Sequence, residues 1–386
     1  MLAAQGLTNP PARTSGPEDL LPTIRRMQYL QIDTIQAVRR SQHLVLWSRL
    51  GDFDPAWLDD LHRSGALFEY YAHALCYLPI EDYPLFRGRM LYDDRVGDNW
   101  HKWAAENQAV IQRVRKVVAA RGPVCSSDFD SETISVGWGD VKHEKLALQR
   151  MFSTGELMIP YRAKFQRYYD LRERVLPDWE DARAMSAEAA TEALLLKTVL
   201  ALGVAKLDWL GGYYYLLKTG LEAKAAQLVD DGRLIPVQVE GWDSPGYIHP
   251  DQAALVESAA KGDLTPTHTT LLSPFDPLIS DRDRTRDVFD FDYKMESFTP
   301  VKDRQYGFFC LPILHQGRLV GRLDPKAHRK QKRMEIKHIY LEPGVEVSGE
   351  LVRALKTTIT AFTAWHGMDT LAVRAADPPE LLEVLA

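Results

Sequence analysis

"LALQRMFSTGELMIPYRAKFQRYYDL", Leu146 to Leu171, decides the fold. A helix-like stretch runs into Gly155-Glu156-Leu157, and an extended stretch then turns back on itself at "RAK". Glycine suits the left-handed residue that ends a helix. The two extended halves pair as a hairpin. The pattern recurs on both sides. "LDDLHRSGALFEYYAHALCYLP" (Leu58–Pro79) carries it with Gly65, and "LEAKAAQLVDDGRLIPVQVEGWDSPGYI" (Leu221–Ile248) with Gly232 and the turn "EGWDSPG". A helix followed by a two-stranded ribbon is the second half of a winged helix. "ARGPVCSSDF" offers the turn between the two earlier helices of the middle copy. Three unrelated helix–hairpin units would give the same text.

Beyond Lys261 the texture changes. "LLSPFDPLI", "RQYGFFCLPILHQGRLVGRLD" and "MEIKHIYLE" read as strands, with Gln316-Gly317 as a tight turn. "SGELVRALKTTITAFTAWHG" reads as an amphipathic helix capped by Ser348. The expected fold is therefore α+β: three tandem winged-helix domains with a mainly β C-terminal domain. The boundaries are 1–104 for the first domain, 105–180 for the second with its basic helix and wing, and 181–260 for the third. Residues 261–386 form the β-rich domain with a terminal helix.

Composition sets bounds on function. The chain has 386 residues, a net charge of −6 and three cysteines, Cys76, Cys125 and Cys310, far apart in sequence. That spacing argues against a disulfide framework or a zinc cage. No apolar run is long enough to span a membrane. "MLAAQGLTNP" lacks the basic start and apolar stretch of a signal peptide. The expectation is a cytoplasmic protein with no membrane association. An acidic average argues against a non-specific nucleic-acid coat, yet a local basic face can still bind.

Two stretches stand against that average. Lys142, Lys145, Arg150, Arg162, Lys164 and Arg167 fall on the recognition helix and wing of the middle copy. Those elements of a winged helix meet the DNA groove and backbone. "KAHRKQKRMEIKH" holds Lys326, Arg329, Lys330, Lys332, Arg333 and Lys337. It reads either as a solvated hairpin tip or as a phosphate-holding surface. The third copy's wing is acidic and a poor DNA contact.

One apolar run carries unexpected polar groups. In "YLQIDTIQAV", Tyr29–Val38, Gln31 and Asp33 stand two residues apart. "LLPTIRRMQYL" before it has helical spacing at Leu21, Ile24, Met27 and Leu30, so a helix is expected to Leu30 and a strand over Gln31–Ile35. In a strand Gln31 and Asp33 share one face. By pattern alone this is an edge strand's solvent face. Other candidates read as structural. His73 and Cys76 lack a second ligand pair at metal spacing. Trp209 and Tyr213 to Tyr215 read as helical core or, less simply, a stacking platform. Asp276 in "SPFDPL" reads as a turn acid. There is no phosphate-cradling glycine loop and no nucleophile elbow.

Several stretches, in order along nearly the whole chain, resemble the bacterial winged-helix DNA glycosylases of the AlkZ and YcaQ (AlkX) type that unhook interstrand crosslinks. They are "LAAQGL", "LLPTIRRMQYLQIDTI", "LVLWSRLG", "FQRYYDLRERVLPDW", "LLSPFDPLISDR" and "RQYGFFCLPILHQGRLVGRLD". The family's first helix begins several residues before "LAAQGL", so this chain is expected to start inside it. The resemblance implies three winged helices around a basic concave surface. It also implies a catalytic Gln, an apolar residue, then Gln or Asp, which here are Gln31, Ile32 and Asp33; the Asp form resembles the broad crosslink-repair branch. The implied activity is monofunctional hydrolysis of the N-glycosidic bond of N7-alkylguanine, without metal or cofactor. The implied partner is duplex DNA carrying alkylated or crosslinked guanine, bound by a monomer at the nucleoid. "PVKDRQYG", Pro300–Gly307, reads as a hairpin probing the duplex with Lys302 and Arg304 at its tip, or as an ordinary loop. The alternative function is a non-enzymatic winged-helix regulator, for which Asp33 is dispensable.

Overall fold

Leu20, Ile24 and Met27 form the buried stripe of α1 (Leu20–Met27). The helix ends three residues earlier than its apolar spacing predicts, because Gln28 takes a left-handed conformation, φ 70°. Tyr29 then turns inward, its ring 4.7 Å from that of Tyr213 and 5.9 Å from that of Tyr214. The Tyr213 hydroxyl donates to the Met27 carbonyl at 2.6 Å. Strand β1 covers only Leu30–Gln31, and residues 32–40 are irregular up to α2 (Ser41–Leu50). The expected strand to Ile35 is corrected: it stops at Gln31, and local hydrogen bonding at Asp33 takes over.

The computed structural model describes residues 1–92, 102–129, 133–136 and 139–385. The fold is α+β. Met1–Pro55 with Leu196–Ala386 make one unit, and Ala56–Leu195 a second. The helix Ala187–Leu202 carries the chain across the boundary.

In the second unit the helix–hairpin pattern appears twice. α3 (Ala56–Arg63) leads to β2 (Leu67–Tyr71) and β3 (Leu75–Pro79), paired antiparallel. Between α3 and β2, Gly65 is left-handed at φ 79°. The helix Gln108–Arg121 is followed by a single 3-10 turn, Ser126–Asp128, and by the strands β4 (Thr133–Val136) and β5 (Gly139–Lys142). The expected simple turn between helices is thus an additional hairpin. The helix His143–Ser153 ends at left-handed Gly155 and leads to β6 (Leu157–Ala163) and β7 (Gln166–Leu171).

Returning to the first unit, β8 (Ala205–Lys206) joins a third helix–hairpin unit. Here the helix Leu221–Asp230 passes through left-handed Gly232 to β9 (Ile235–Val237) and β10 (Gly246–Ile248), in the antiparallel order β8-β10-β9. The C-terminal sheet follows. β11 (Thr269–Leu271), β12 (Leu311–His315), β13 (Arg318–His328) and β14 (Arg333–Leu341) are antiparallel neighbours. β15 (Thr370–Val373) and β16 (Ala376–Asp377) both pair with β14, in parallel. Gln316 and Gly317 form the β12–β13 turn at φ 46° and 86°, the mirror-image geometry that suits strand twist. Ser348 caps the helix Gly349–Trp365, its hydroxyl accepting from the Leu351 N–H at 3.1 Å, a contact worth about 1 kcal/mol.

The first unit's core joins the two ends of its chain. Leu7 is buried with Leu272, Leu278, Ile279, Phe291, Tyr293, Leu314 and Leu319. Under them lies an ion pair. Arg49, the penultimate residue of α2, meets both carboxylate oxygens of Asp276 at 2.6 and 2.9 Å. Asp276 therefore does more than close a turn: it anchors α2. Arg49 also donates to the Gln5 side chain at 3.1 Å, tying "LAAQGL" to the same point. No helix among the described residues is long and apolar enough to cross a membrane.

Candidate active site and DNA interface

Asp33 follows β1 directly. Its Oδ1 accepts from the Ile35 N–H at 2.7 Å, a local turn that competes with continued strand. Its own N–H donates to the Gln42 side-chain oxygen at 3.4 Å. Gln42 lies in the first turn of α2, so the Arg49–Asp276 pair at the other end of that helix holds the partner of Asp33 in place. Asp33 is half-buried, and Gln31 is buried. Burial raises the Asp33 carboxyl above the ordinary Asp range, and the Ile35 N–H acts against that rise. The carboxylate is thus held by a local turn and partly desolvated.

Behind the loop, Tyr213 and Tyr214 are buried and brace Tyr29. Trp209 is buried too, so "WLGGYYYL" serves mainly as core, with Tyr215 alone of the three tyrosines outside. His43, the neighbour of Gln42, is pushed down to about 3 by burial and then by Arg39 and Arg40. Its imidazolium form is disfavoured, which argues against His43 as a general acid for a leaving base. Cys76 is buried within β3, away from any metal-like group of three ligands among the described residues.

The basic candidates of the middle copy divide by environment. Lys145 is exposed on the helix His143–Ser153, with half-buried Arg150 further along it. Lys142, at that helix's start, donates to the Phe129 carbonyl at 2.6 Å. Lys164 is exposed at the β6–β7 tip. The tip residues Lys164 and Phe165 are both left-handed, φ 49° and 70°, without a glycine or asparagine to ease it. Arg167 is half-buried on β7, opposite Arg162.

Arg162 is the correction. It is buried and grips Glu69 through two hydrogen bonds, 2.6 and 2.7 Å. Its Nη1 donates to the Phe165 carbonyl at 3.0 Å, and its guanidinium lies 4.5 Å from the Phe165 ring. A guanidinium so committed is a strut for the tip and is not offered to a phosphate.

The expected hairpin at Pro300–Gly307 is also corrected. No strand flanks it; a 3-10 turn, Val301–Asp303, sits in the irregular segment 290–310. Glu296 staples that segment by accepting from the N–H groups of Gln305, Tyr306 and Gly307 at 2.8, 2.8 and 3.0 Å. Outside the staple stand Phe298, 86% exposed, and Val301, 77% exposed, with Lys302 beside them. Arg304 is not at the tip. It turns back to the Thr299 carbonyl at 2.9 Å and lies 5.2 Å from the Phe308 ring.

Sequence reasoning missed Gln42 and the Ile35 N–H, which only the broken strand brings to Asp33. It also left Arg39 unremarked, though the doublet Arg39-Arg40 was there to be seen.

The chain thus carries a half-buried carboxylate at Asp33 and exposed lysines on each unit, Lys302 on the first and Lys145 and Lys164 on the second. The model of the family described as "DNA glycosylase AlkZ-like" matches residues 24–365, and the chain belongs to that family of DNA glycosylases. Among solved structures it is similar to Streptomyces sahachiroi DNA glycosylase AlkZ. The two share 15% identity over 97% of this chain and 96% of that one, with a TM-score of 0.62, a likeness of fold.

Proposed function

We propose that this glycosylase hydrolyses the N-glycosidic bond of N7-alkylated guanine and unhooks interstrand crosslinks built on that base. The observation that carries the reading is Asp33: half-buried, pinned at Oδ1 by Ile35, and placed inside the family-matched segment. Alkylation at N7 leaves guanine cationic. Breaking the bond between C1′ and N9 returns its electron pair to the base, which departs neutral and needs no proton. Asp33 stabilises the positive charge that develops on the sugar. Water then bonds to C1′ and gives its proton to Asp33. Gln31 orients that water, since an amide both donates and accepts. One carboxylate suffices, unlike the pair used by most glycoside hydrolases. No lysine adduct is required, so the enzyme is monofunctional.

In this reading the three helix–hairpin units act as winged helices. Lys145, Lys164, Arg150, Arg167 and Lys142 meet DNA phosphates, and the stapled loop carrying Lys302 probes the duplex near the lesion. The enzyme works as a monomer on nucleoid DNA in the cytoplasm.

The test is a time course on matched duplexes holding one N7-methylguanine, one N7-linked crosslink, one uracil or one 8-oxoguanine. Release from the first two and none from the others is expected. Tight binding without release from any would favour a regulator, and uracil release would require a general acid, a role disfavoured for His43.

A further inference from the structure

β13 and β14 are joined by a single 3-10 turn, Arg329–Gln331, followed by left-handed Lys332 at φ 46°. Arg329, Lys330 and Lys332 are exposed there, and the turn holds no acidic residue. Lys332 has only a surface pairing with Asp369 at 3.5 Å. Arg329 does not stay with its own hairpin. Its Nη2 donates to the main-chain carbonyl of Val38, in the loop that begins at Asp33.

The next residue, Arg39, is held in the same manner. Its Nη2 donates to the Trp365 carbonyl at 2.9 Å, and its guanidinium lies 4.6 Å from the centre of the Trp365 ring. A carbonyl and an indole occupy one nitrogen and one face of the Arg39 guanidinium without cancelling its charge, and its buried Nε has no hydrogen-bond partner among the described residues. Part-buried arginines are more usually matched by carboxylates. Here Asp54 offsets Arg39 only after burial and Arg329 have each lowered its affinity for a proton. Burial pushes His366 down to about 3 against its bond to the Phe362 carbonyl, and Arg39 and Arg329 add smaller shares in the same direction. The α2 first turn beside Arg39 also contains no acidic residue.

The loop that carries Asp33 thus ends in an under-compensated pair of guanidiniums brought together from two distant parts of the chain. Forked guanidiniums match a phosphate's oxygens, and a DNA glycosylase meets phosphates as its substrate's backbone. We propose that Arg39, Arg329 and Lys330 form a phosphate site that grips the DNA backbone and sets the strand's register against Asp33. The register half of this statement rests on the catalytic reading of Asp33; the phosphate half does not. Phosphate contacts of this kind position without reading sequence.

The experiment measures affinity for a short undamaged duplex against salt, for Arg329→Gln and Lys330→Gln. Each should flatten the slope of log affinity against log salt by about 0.9, while Arg329→Lys keeps it. Lys330 is exposed, so its variant folds even if Arg329→Gln does not. A second arm places single methylphosphonates on either side of an N7-methylguanine. At one position the neutral linkage should slow excision by the wild type but add nothing to the loss in Arg329→Gln. Unchanged slopes in both glutamine variants, or additive losses at each position, would overturn the proposal. Asp33→Asn serves as control: if it still excises, the catalytic reading falls, and the slopes decide the phosphate site alone.

Discussion

Arg49 and Asp276, 227 residues apart in sequence, meet side by side with side chains 2% and 0% exposed. Their pairing fixes the helix whose first turn contacts Asp33. Removing one partner of such a pair leaves a buried, uncompensated charge, costing about 3–5 kcal/mol. Asp276→Asn should lose stability on that scale in denaturant unfolding. Replacing both partners with apolar residues of similar volume should restore much of it. A single variant as stable as the wild type would show that the pair does not anchor α2.

Burial of Asp33 predicts a stability cost at neutral pH. Its carboxyl is raised, so the native state favours the protonated form: that contribution is full below the ordinary Asp range of about 3.9 and is lost as pH rises through the native value. Asp33→Asn keeps the oxygen that accepts from Ile35 and removes the charge. Its melting temperature should equal or exceed the wild type's at pH 7, with the gap closing below about pH 4. Wild-type excision should fall over the same acidic window. A variant less stable than the wild type at pH 7 would mean that the ionised carboxylate is stabilised by the fold.

Lys145 and Lys164 are exposed, whereas Arg162 is locked to Glu69. Neutral glutamine at either lysine should reduce the salt slope of duplex binding by about 0.9 and leave folding intact. Arg162→Gln should instead destabilise, by about 3–5 kcal/mol, through the stranded Glu69. Slopes unchanged in both lysine variants would turn this helix and hairpin away from DNA.

The stapled loop makes a separate prediction. Phe298 and Val301 stand in solvent, where an apolar side chain gains nothing in the free protein. Apolar wedges of this kind enter base steps. Phe298→Ala and Lys302→Gln should slow excision more than they weaken binding to undamaged duplex. Equal effects on both, or none, would reduce the loop to a connection.

What was legible in the sequence was what local chemistry dictates. Gly65, Gly155 and Gly232 end helices because the chain must go left-handed there. Gln316-Gly317 and Ser348 could be placed for the same kind of reason. Asp33 and Gln31 were visible as polar groups in an apolar run, and their role came from family resemblance. Three things rested on side-chain partners that the sequence pattern does not mark. The strand at Gln31 gives way to a turn because Gln42 and Ile35 take the hydrogen bonds of Asp33. Arg162 looked like its basic neighbours because its partner Glu69 lies 93 residues away. The loop at Pro300 looked like a hairpin because nothing local reveals the Glu296 staple.

The most direct measurement is single-turnover excision of one N7-methylguanine from a duplex by Asp33→Asn, at enzyme concentrations that saturate binding. Loss of the carboxylate should slow the chemical step by roughly 100-fold to 10,000-fold while affinity holds and the melting temperature does not fall. A folded Asp33→Asn enzyme that excises at the wild-type rate would contradict the assignment of catalysis to Asp33.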